Sequence, residues 1–384
     1  MIELGRCHAV NAWEQHKLGS LGTSYSGLSG KDKTDFGHGS GSYITYLNVF
    51  QNPIADIDGT DRIEIDPKQN TVHYGDVFFT VSSETPEEVG MSSVWFGNQQ
   101  NIYLNSFCFG YRQNGTFDTK YLAYMLRSRS IRNRMKVLAQ GISRFNISQR
   151  RVMDIEVSFP SMDEQQKIGV LCGKLDQLTD AEKRKLDLLK DKKTALLRQI
   201  FDQKARFKGY TDPWEQRKLG DILSYEQPYE YIVSSDDYSP VARTPVLTAG
   251  KTLILGYTNE ADGIKAVTKD SPVIIFDDFT ASSHIIDYSF KIKSSAMKIL
   301  SLRDSENDLY CIYYALTRII RPSASHERQW ISKYARATVT IPSKDEQQVI
   351  GDFLRKLDRL IAAESRKIDL LELKKKALLQ QMFV

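Results

Sequence analysis

Two long stretches of the chain place apolar residues at steps of three and four positions among charged neighbours. This spacing puts the apolar side chains on one narrow stripe of an α-helix, the pattern of a two-stranded coiled coil. The pattern therefore predicts two long helices, each with one apolar seam. The seam positions are Ile168, Leu175, Leu178, Leu189 and Leu196 in the first stretch, and Ile350, Leu357, Leu360, Leu371 and Leu378 in the second.

The two helical stretches are copies of each other. Residues 158–201 align with residues 340–383 at a constant offset of 182, and about 26 of the 44 pairs are identical. Each copy opens with a proline and an S-x-x-E sequence, "PSMDEQQKIG" and "PSKDEQQVIG", which predicts a helix start with a capping box. Glu182 and Glu364 interrupt the seam at equivalent places, where buried charges could fix its register.

A shorter repeat precedes each globular block. "WEQHKLGSL" lies at 13–21 and "WEQRKLGDI" at 214–222, an offset of 201, so the segments between the repeats differ in length. The chain therefore contains two copies of one repeat, each made of a head, a variable block and a long helix. The predicted domains are a first globular block at 1–157, a helix at 158–205, a second block at 206–339 and a second helix at 340–384.

Chain order predicts how these parts are arranged. A helix of roughly 39 residues is about 58 Å long. Because the linker at 202–213 is short, we expect the second block at the far end of the first helix. The second helix then covers its seam most directly by running back antiparallel to the first. We predict two globular domains separated by an antiparallel coiled coil, with approximate twofold symmetry inside one chain.

Both globular blocks have the composition of α+β domains. β-rich runs such as "TVHYGDVFFTVSS" and "SPVIIFDDFT" are followed by the helical stretches "TKYLAYMLRSRSIRNRMKVLAQ" and "DLYCIYYALTRIIRP". The polar residues of the two blocks do not match. A shared architecture with different polar residues favours two recognition modules over two enzymes that perform the same reaction.

Composition indicates a globular protein without a membrane segment. The chain has 384 residues, 41% of them hydrophobic, and a net charge of +4. It contains no apolar run of 18 residues and no signal-peptide layout. Its four cysteines, Cys7, Cys108, Cys172 and Cys311, include no C-x-x-C pair, so we expect reduced thiols in the cytoplasm and no zinc or disulfide framework.

Motifs for catalysis or metal binding are weak. "DFGHGSG" at 35–41 is followed by a β-like run instead of the helix that a phosphate-binding loop needs, so we interpret it as an ordinary loop. Asp277 and Asp278 in "IIFDDFT" could hold a metal ion, as in nucleases, but the first block has no counterpart. The histidines show no ligand spacing. We therefore predict no catalytic residues, no metal site and no cofactor of the chain's own.

Two clusters of basic and amide residues are candidates for DNA contact. Arginine and lysine suit phosphates and guanine, and asparagine, glutamine and serine can bond base edges. A solvated helix face would explain any single member equally well. The candidates are Arg127, Arg129, Arg132, Ser143, Arg144, Asn146, Gln149 and Arg150 in the first block, and Arg321, His326, Arg328 and Lys333 in the second.

The whole chain resembles the specificity subunit of type I restriction–modification systems. The resemblance is carried by "FPSMDEQQKIG" and "IPSKDEQQVIG" at the helix starts, "ALLRQIF" and "ALLQQMF" at their ends, and "FKGYTDPWEQRKLG" before the second block. "GISRFNISQ" at 141–149 looks like the polar loop of that family's target recognition domains. The segment "SASHERQWISK" lacks the Gly and Asn of that loop, and the head "MIELGRCHAVNAW" does not match "ARFKGYTDPW".

The resemblance implies a non-catalytic DNA-reading subunit. Each block would bind one half of a bipartite, gapped site in double-stranded DNA, and the helices would set the spacing. The implied partners are two methyltransferase subunits, which use S-adenosylmethionine, and restriction subunits, which use ATP and Mg²⁺. Two alternatives stay open: a nuclease that uses Asp277 and Asp278, and a coiled-coil adaptor whose binding would lack a steep salt dependence.

Overall fold

The repeated sequence folds into two units whose shared elements occur in the same order. The structure is a computed structural model and describes residues 13–248, 252–321 and 328–383. Unit 1 comprises residues 1–183 and 366–384, and unit 2 comprises residues 184–365. Each unit thus contains one globular block, part of the first long helix and part of the second.

The described residues of unit 1 form eleven strands and several helices. The strands are β1 (Glu14–Lys17), β2 (Gly22–Ser26), β3 (Phe36–Ile44), β4 (Thr60–Ile63), β5 (Val77–Thr80), β6 (Ser82–Ser83), β7 (Ser92–Val94), β8 (Ile102–Leu104), β9 (Cys108–Gln113), β10 (Phe145–Asn146) and β11 (Glu156–Phe159). The helices are α1 (Tyr46–Gln51), α2 (Thr119–Met125), α3 (Arg129–Leu138), α4 (Gln149–Met153) and the long α5 (Met162–Phe201), with 3-10 turns at Leu18–Ser20 and Lys33–Asp35.

The globular part of unit 1 has three layers. An antiparallel sheet of order β2-β9-β5-β7 lies in the middle. A sheet of order β4-β3-β8 lies on one side of it, and α2 and the other helices lie on the opposite side. Side chains alternate along β5: Val77 and Phe79 pack with α2 and the other helices, whereas Phe78 packs with Trp95 and the second sheet. Because successive side chains of a strand point to opposite faces, β5 is buried on both sides.

Unit 2 repeats this architecture with shorter connections. Its strands are β12 (Glu215–Lys218), β13 (Leu223–Glu226), β14 (Thr244–Leu247), β15 (Ile254–Thr258), β16 (Val273–Asp277), β17 (Ser283–Ile286), β18 (Lys291–Ile292), β19 (Met297–Leu302) and β20 (Thr338–Ile341). Its helices are α6 (Leu219–Ile222), α7 (Leu309–Ile319), α8 (Gln329–Ser332) and the long α9 (Lys344–Met382), with 3-10 turns at Tyr229–Tyr231 and Tyr334–Arg336.

The sheets of the two units correspond strand by strand. The order β13-β19-β16-β17 repeats β2-β9-β5-β7, and β15-β14-β18 repeats β4-β3-β8, including one antiparallel and one parallel pair in each three-stranded sheet. The central strand β16 again faces two cores, with Phe276 on the α7 side and Ile275 on the other. These shared sheets confirm the predicted pair of α+β domains.

The short repeats form the same structure twice. β1, in the first "WEQHKL" head, pairs antiparallel with β11, and β12, in the second head, pairs antiparallel with β20. Both β11 and β20 lead directly into a long helix. Each head therefore closes its block against the strand from which the long helix emerges, which explains why the head and the helix start are the parts of the sequence that repeat.

The long helices bury a seam with a strict heptad spacing. Buried and half-buried positions alternate at steps of four and three in both helices, the 3.5-residue average of a left-handed coiled coil. In α5 these positions are Ile168, Cys172, Leu175, Thr179, Glu182, Leu186, Leu189, Lys193, Leu196 and Ile200. In α9 they are Ile350, Leu354, Leu357, Ile361, Glu364, Ile368, Leu371, Lys375, Leu378 and Met382.

Two of the predicted seam residues lie outside this seam. Leu178 and Leu360 are 44% and 43% exposed, and Thr179 and Ile361 hold the seam positions instead. The prediction was wrong because it favoured the larger apolar residue over the regular step. Thr179 tolerates burial because its hydroxyl donates to the carbonyl of Leu175, 2.8 Å away, within the same helix.

Ion pairs show that the helices run antiparallel within unit 1. Lys375 pairs with Asp176, and Lys367 pairs with Glu182 at 2.6 Å. Residue numbers rise along one helix as they fall along the other, which only antiparallel helices allow. Both pairs are partly exposed, so they contribute more to register than to stability.

The same arrangement holds within unit 2. Lys185 pairs with Glu364 at 2.5 Å, and Lys193 pairs with Asp358. At the offset of 182, Glu364 and Lys185 are the repeats of Glu182 and Lys367. The two seam glutamates therefore each bind a lysine of the opposite helix, and this supports the predicted role in fixing the register.

A buried glutamine connects each long helix to the domain helix beside it. Gln165 is 1% exposed; its side-chain oxygen accepts from the backbone N–H of Asp118 at 2.9 Å, and its amide group donates to the carbonyl of Pro160 at 3.0 Å. Gln347 makes the equivalent bonds to Asp308 at 3.0 Å and Pro342 at 2.9 Å. We call this arrangement the joint of each unit.

A glycine one turn later allows close contact at each joint. Asp118 and Asp308 are the N-cap residues of α2 and α7. A Cβ atom on Gly169 would lie 2.8 Å from the Asp118 carboxylate, and one on Gly351 would lie 1.9 Å from that of Asp308. Only glycine lets the capped end of the domain helix rest on the long helix at these distances.

The linker between the blocks is attached to the joint of unit 2. Glu346 is buried and accepts two bonds from the guanidinium of Arg206, at 3.1 and 2.5 Å, and one from the indole of Trp214 at 3.2 Å. The sequence assigns this glutamate to a capping box, but its carboxylate binds the linker. The equivalent Glu164 in unit 1 is exposed.

We expect Gly169→Ala to lower the free energy of unfolding by about 1–3 kcal/mol, because its methyl group would overlap the first turn of α2. The matched control is Gly173→Ala on the same helix, where the nearest atom is 3.8 Å from the new Cβ. That change should stabilise the chain by about 0.5–1 kcal/mol, since alanine favours a helix more than glycine does. Urea unfolding of both variants decides the matter, and equal stabilities would contradict the role of the joint.

Candidate nucleic-acid interface

Arg127 lies inside a cage of backbone carbonyls. Its guanidinium donates to the carbonyls of Val49 at 2.8 Å and Asn52 at 2.9 Å at the end of α1, and to Ser92 at 2.6 Å. A cation at the C-terminal end of a helix satisfies carbonyls that have no partner in the helix. Burial lowers the pKa of Arg127 to about 10.

Arg132 on α3 has a similar cage. It donates to the carbonyls of Glu87, Val89 and Gly90 at 2.6–2.8 Å, and burial lowers its pKa to about 10 as well. These bonds occupy the donors that a phosphate or base would need. The structure therefore corrects the prediction for Arg127 and Arg132, which hold the segments around α1 and β7 in place.

The polar loop predicted at 141–149 is closed at its base by backbone hydrogen bonds. The backbones of Gln140 and Asn146 exchange two hydrogen bonds, at 2.9 and 2.8 Å, and β10 pairs with β6. Between these anchors the side chains of Ser143 and Arg144 are exposed, as is that of Asn146. We call residues 140–146 the recognition loop. It presents a cation, a hydroxyl and an amide to solvent.

Tyr46 supports the base of the recognition loop. Its hydroxyl donates to the carbonyl of Ser82, 2.8 Å away on β6, the strand that pairs with β10. Burial raises the pKa of Tyr46, and the cation of Arg144 is close enough to oppose that rise. Arg144 is thus near the supporting tyrosine and exposed at the same time.

The remaining candidates in unit 1 have mixed surroundings. Arg129 and Arg150 are exposed at the starts of α3 and α4. Gln149 is half-buried, and its amide donates to the hydroxyl of Ser24 at 2.7 Å. Arg129 and Arg150 stay candidates for DNA contact, whereas Gln149 has a structural bond that ties α4 to β2.

The candidates for DNA contact in unit 2 lie at the end of α7 and around α8. Nine residues, 320–328, separate α7 from α8, and six of them, 322–327, lie outside the described residues. Arg321 is exposed, but its guanidinium donates to two carbonyls at the end of α7, at 2.8 and 3.0 Å. Arg328 and Lys333 flank α8 and are exposed, and His326 lies outside the described residues.

Asp277 organises the turn that follows β16. Its carboxylate accepts from the backbone N–H of Phe279 at 2.9 Å and from the hydroxyl of Thr280 at 2.7 Å. Across the residues that the structure describes, no group of three or more histidine, cysteine, aspartate or glutamate side chains is arranged around a possible metal ion. The geometry of Asp277 is that of a turn aspartate.

Asp278 anchors α8. Its carboxylate accepts from the backbone N–H of Trp330 at 2.7 Å and pairs with the buried Lys298 at 3.3 Å, while its carbonyl accepts from the N–H of Gln329 at 2.8 Å. The pair considered as a nuclease site therefore consists of two side chains with different structural tasks. The role of Asp278 could not be read from the sequence, because Trp330 lies 52 residues away along the chain.

Ile142 is not among the candidates that the sequence predicts. It lies at the tip of the recognition loop and is 98% exposed. The signal was present, since "GISRF" places one aliphatic residue between a glycine and polar residues in a loop that should be hydrophilic.

The structure also bears on the predictions about the cysteines and about membrane segments. Cys108, Cys172 and Cys311 are free and buried, and Cys7 lies outside the described residues. No helix in the described part of the chain combines the length and apolar character needed to cross a membrane.

Two homologous α+β domains with different exposed polar groups, each joined to long antiparallel helices, define a class of paired recognition domains. A family model described as "Type I restriction modification DNA specificity domain" matches residues 11–191 and 211–373. The chain therefore belongs to this family and contains two copies of its domain.

Known relatives agree with this assignment. The specificity subunit of the type I restriction enzyme EcoR124I/EcoR124II from Escherichia coli is 43% identical over 165 residues, which span 41% of this chain and 41% of that relative. The putative type I restriction enzyme MjaX specificity subunit from Methanocaldococcus jannaschii is 20% identical, over 96% of this chain and 92% of its own. The crystal structure of the S subunit of a type I system from M. genitalium, 15% identical, covers 97% of each chain with a TM-score of 0.64 and shows the same fold.

We expect Arg127→Met to lower the free energy of unfolding by about 2–4 kcal/mol, because several buried carbonyls would lose their donor. The matched control is Arg144→Ala, an exposed arginine of the same unit, which should change stability by less than about 0.5 kcal/mol. Urea unfolding measures both effects. A stable Arg127→Met variant would return Arg127 to the candidates for DNA contact.

Proposed function

We propose that this chain is the DNA sequence-specificity subunit of a type I restriction–modification complex. The globular blocks at 1–157 and 206–339 each bind one half of a bipartite, gapped site in double-stranded DNA. One observation carries the proposal: two copies of the family's domain share their sheets and joints but present different exposed side chains. Copies that performed one reaction would need the same residues in both.

The proposed contacts of the first domain are on and beside the recognition loop. Ser143, Arg144 and Asn146 supply a hydroxyl, a guanidinium and an amide, the groups that bond phosphates and base edges. Arg129 and Arg150 add exposed positive charge for the phosphate backbone. In the second domain the exposed Arg328 and Lys333 around α8 take this role, together with His326.

The long helices set the distance between the half-sites in this proposal. α5 and α9 contain 40 and 39 residues, which corresponds to about 60 Å at 1.5 Å per residue. Two readers on one face of B-DNA lie about one helical turn, roughly 34 Å, apart from centre to centre. Helices of this length suffice to hold two domains at that spacing, with the charged helix faces left for partner subunits.

The chain itself is non-catalytic in this proposal. Two modification subunits with S-adenosylmethionine perform adenine methylation, and restriction subunits with ATP and Mg²⁺ perform translocation and cleavage. The structural tasks of Asp277 and Asp278 support this division, since they remove the nuclease candidate that the sequence contains. The proposed substrate and partners imply that the chain acts in the cytoplasm, and its free, buried cysteines are compatible with a reducing compartment.

The proposal predicts a methylation pattern that depends on this chain. Single-molecule sequencing of DNA from cells that express the chain with its modification subunit should show methylated adenines in one bipartite motif with a fixed gap. Deletion of the chain should abolish the motif while the modification subunit is still produced. An active partner without any motif that depends on the chain would refute the proposed function.

Exchange of one domain should change one half of that motif. Replacing residues 22–155, between the β1 and β11 contacts, by the domain of another specificity subunit keeps the head strand, Gln165 and both long helices, and the incoming domain supplies the joint contact that Asp118 makes here. We expect a new sequence in one half-site, with the other half and the gap unchanged. The reciprocal exchange of residues 223–337 in the second domain is the control, and a change in both halves at once would contradict independent domains.

A further inference from the structure

Ile142 is more exposed than any other large hydrophobic side chain in the described part of the chain. Its exposed fraction is 98%, compared with 83% for Val241 and 82% for Val137. An isoleucine that stays in water gains nothing from folding, whereas burying it against a partner is favourable. Its neighbours in the loop, Ser143 and Arg144, are polar and exposed, so the partner offers apolar and polar groups side by side.

The loop that presents Ile142 is tightly built. Gly141 has a φ of 141°, and a Cβ atom there would lie 2.0 Å from the carbonyl oxygen of Arg144, so the backbone turns back on itself around the isoleucine. The two hydrogen bonds between Gln140 and Asn146 close the loop below it. Ile142 is therefore held at a defined place, as a group that contributes to specificity must be.

The dimensions and charge of the loop suit the major groove of DNA. An antiparallel bridge closes it, which makes it about two strands wide, and the major groove admits a two-stranded ribbon. Arg144, two residues from Ile142 in the loop, is exposed and provides positive charge there. The apolar feature that the major groove offers is the C5-methyl group of thymine, which aliphatic side chains contact directly.

We infer that Ile142 is a specificity-determining residue that contacts the C5-methyl group of one thymine in the half-site bound by unit 1. The inference rests on the proposed function and adds to it a residue, a groove and a base. Ser143, Arg144 and Asn146 supply the polar contacts of the same loop, and Ile142 supplies the apolar one.

Single-methyl substitution in the DNA tests this inference. Once methylation sequencing has defined the target, each thymine of the first half-site is replaced in turn by deoxyuridine, which lacks only the C5-methyl group. Binding of these duplexes to the complex of the chain with its modification subunits is then measured. At one position we expect about a fourfold loss of affinity, the value of one buried methyl group.

Variants assign that methyl group to Ile142. Ile142→Ala should bind the thymine and deoxyuridine duplexes equally, whereas Ile142→Val, which keeps a branched apolar side chain, should retain most of the difference. The matched control is Val241→Ala, an exposed aliphatic residue of unit 2, which should keep the full fourfold effect. Because Ile142 and Val241 are both exposed, thermal melting of the three variants should match that of the unaltered chain.

The outcomes separate this inference from the function on which it rests. A target motif that depends on the chain, but no deoxyuridine effect or an effect that persists in Ile142→Ala, overturns the thymine contact and leaves the specificity subunit intact. A first half-site without thymine does the same. Ile142→Ala could instead weaken binding of the thymine and deoxyuridine duplexes by the same factor, so that the fourfold difference between them remains. In that case the isoleucine acts as a wedge between base steps, and the inference is wrong. The absence of any motif that depends on the chain overturns the proposed function and the inference together.

Discussion

The contact between each long helix and the capped end of its domain helix is the constraint on which the rest of the structure depends. Gln165 and Gln347 are almost completely buried, and each binds a backbone N–H of the domain and a carbonyl at its own helix start. Buried polar groups of this kind are costly to leave without partners, so the geometry of the joint is closely defined. The glycine beside each glutamine removes the side chain that would hold the two helices apart.

This joint explains how one architecture carries two different surfaces. The repeated segments are those that build the joint, the head strand and the helix seam, and all three position a domain on a long helix. The segments between them are free to differ: the β6–β10 pair of unit 1 has no counterpart among the described residues of unit 2. If each domain recognises its own half-site, as we propose, variation in the loops changes specificity without disturbing the positioning of the domains.

The candidate interface shows why a list of basic residues is a poor guide to DNA contacts. Arg127 and Arg132 belong to the basic cluster that composition favours for DNA contact. Both guanidinium groups instead donate their hydrogen bonds to backbone carbonyls of neighbouring segments. Arg144, in contrast, is exposed on a closed loop. A guanidinium group suits a helix C-terminus as well as a phosphate, since both present negative oxygen atoms. Which partner it meets depends on the three-dimensional surroundings.

The sequence by itself determined the two domains, the two long helices, their antiparallel pairing and the family. The reason is that the repeat offset of 182 and the 3.5-residue spacing of apolar positions can be read directly from the order of residues. The tertiary structure decided the rest. It placed Thr179 instead of Leu178 in the seam, because the regular step of the helix pair outweighs the preference for a larger apolar residue. It also assigned Arg127 to a carbonyl cage and Ile142 to the tip of a loop, because burial and partners depend on segments that are distant in sequence and close only after folding.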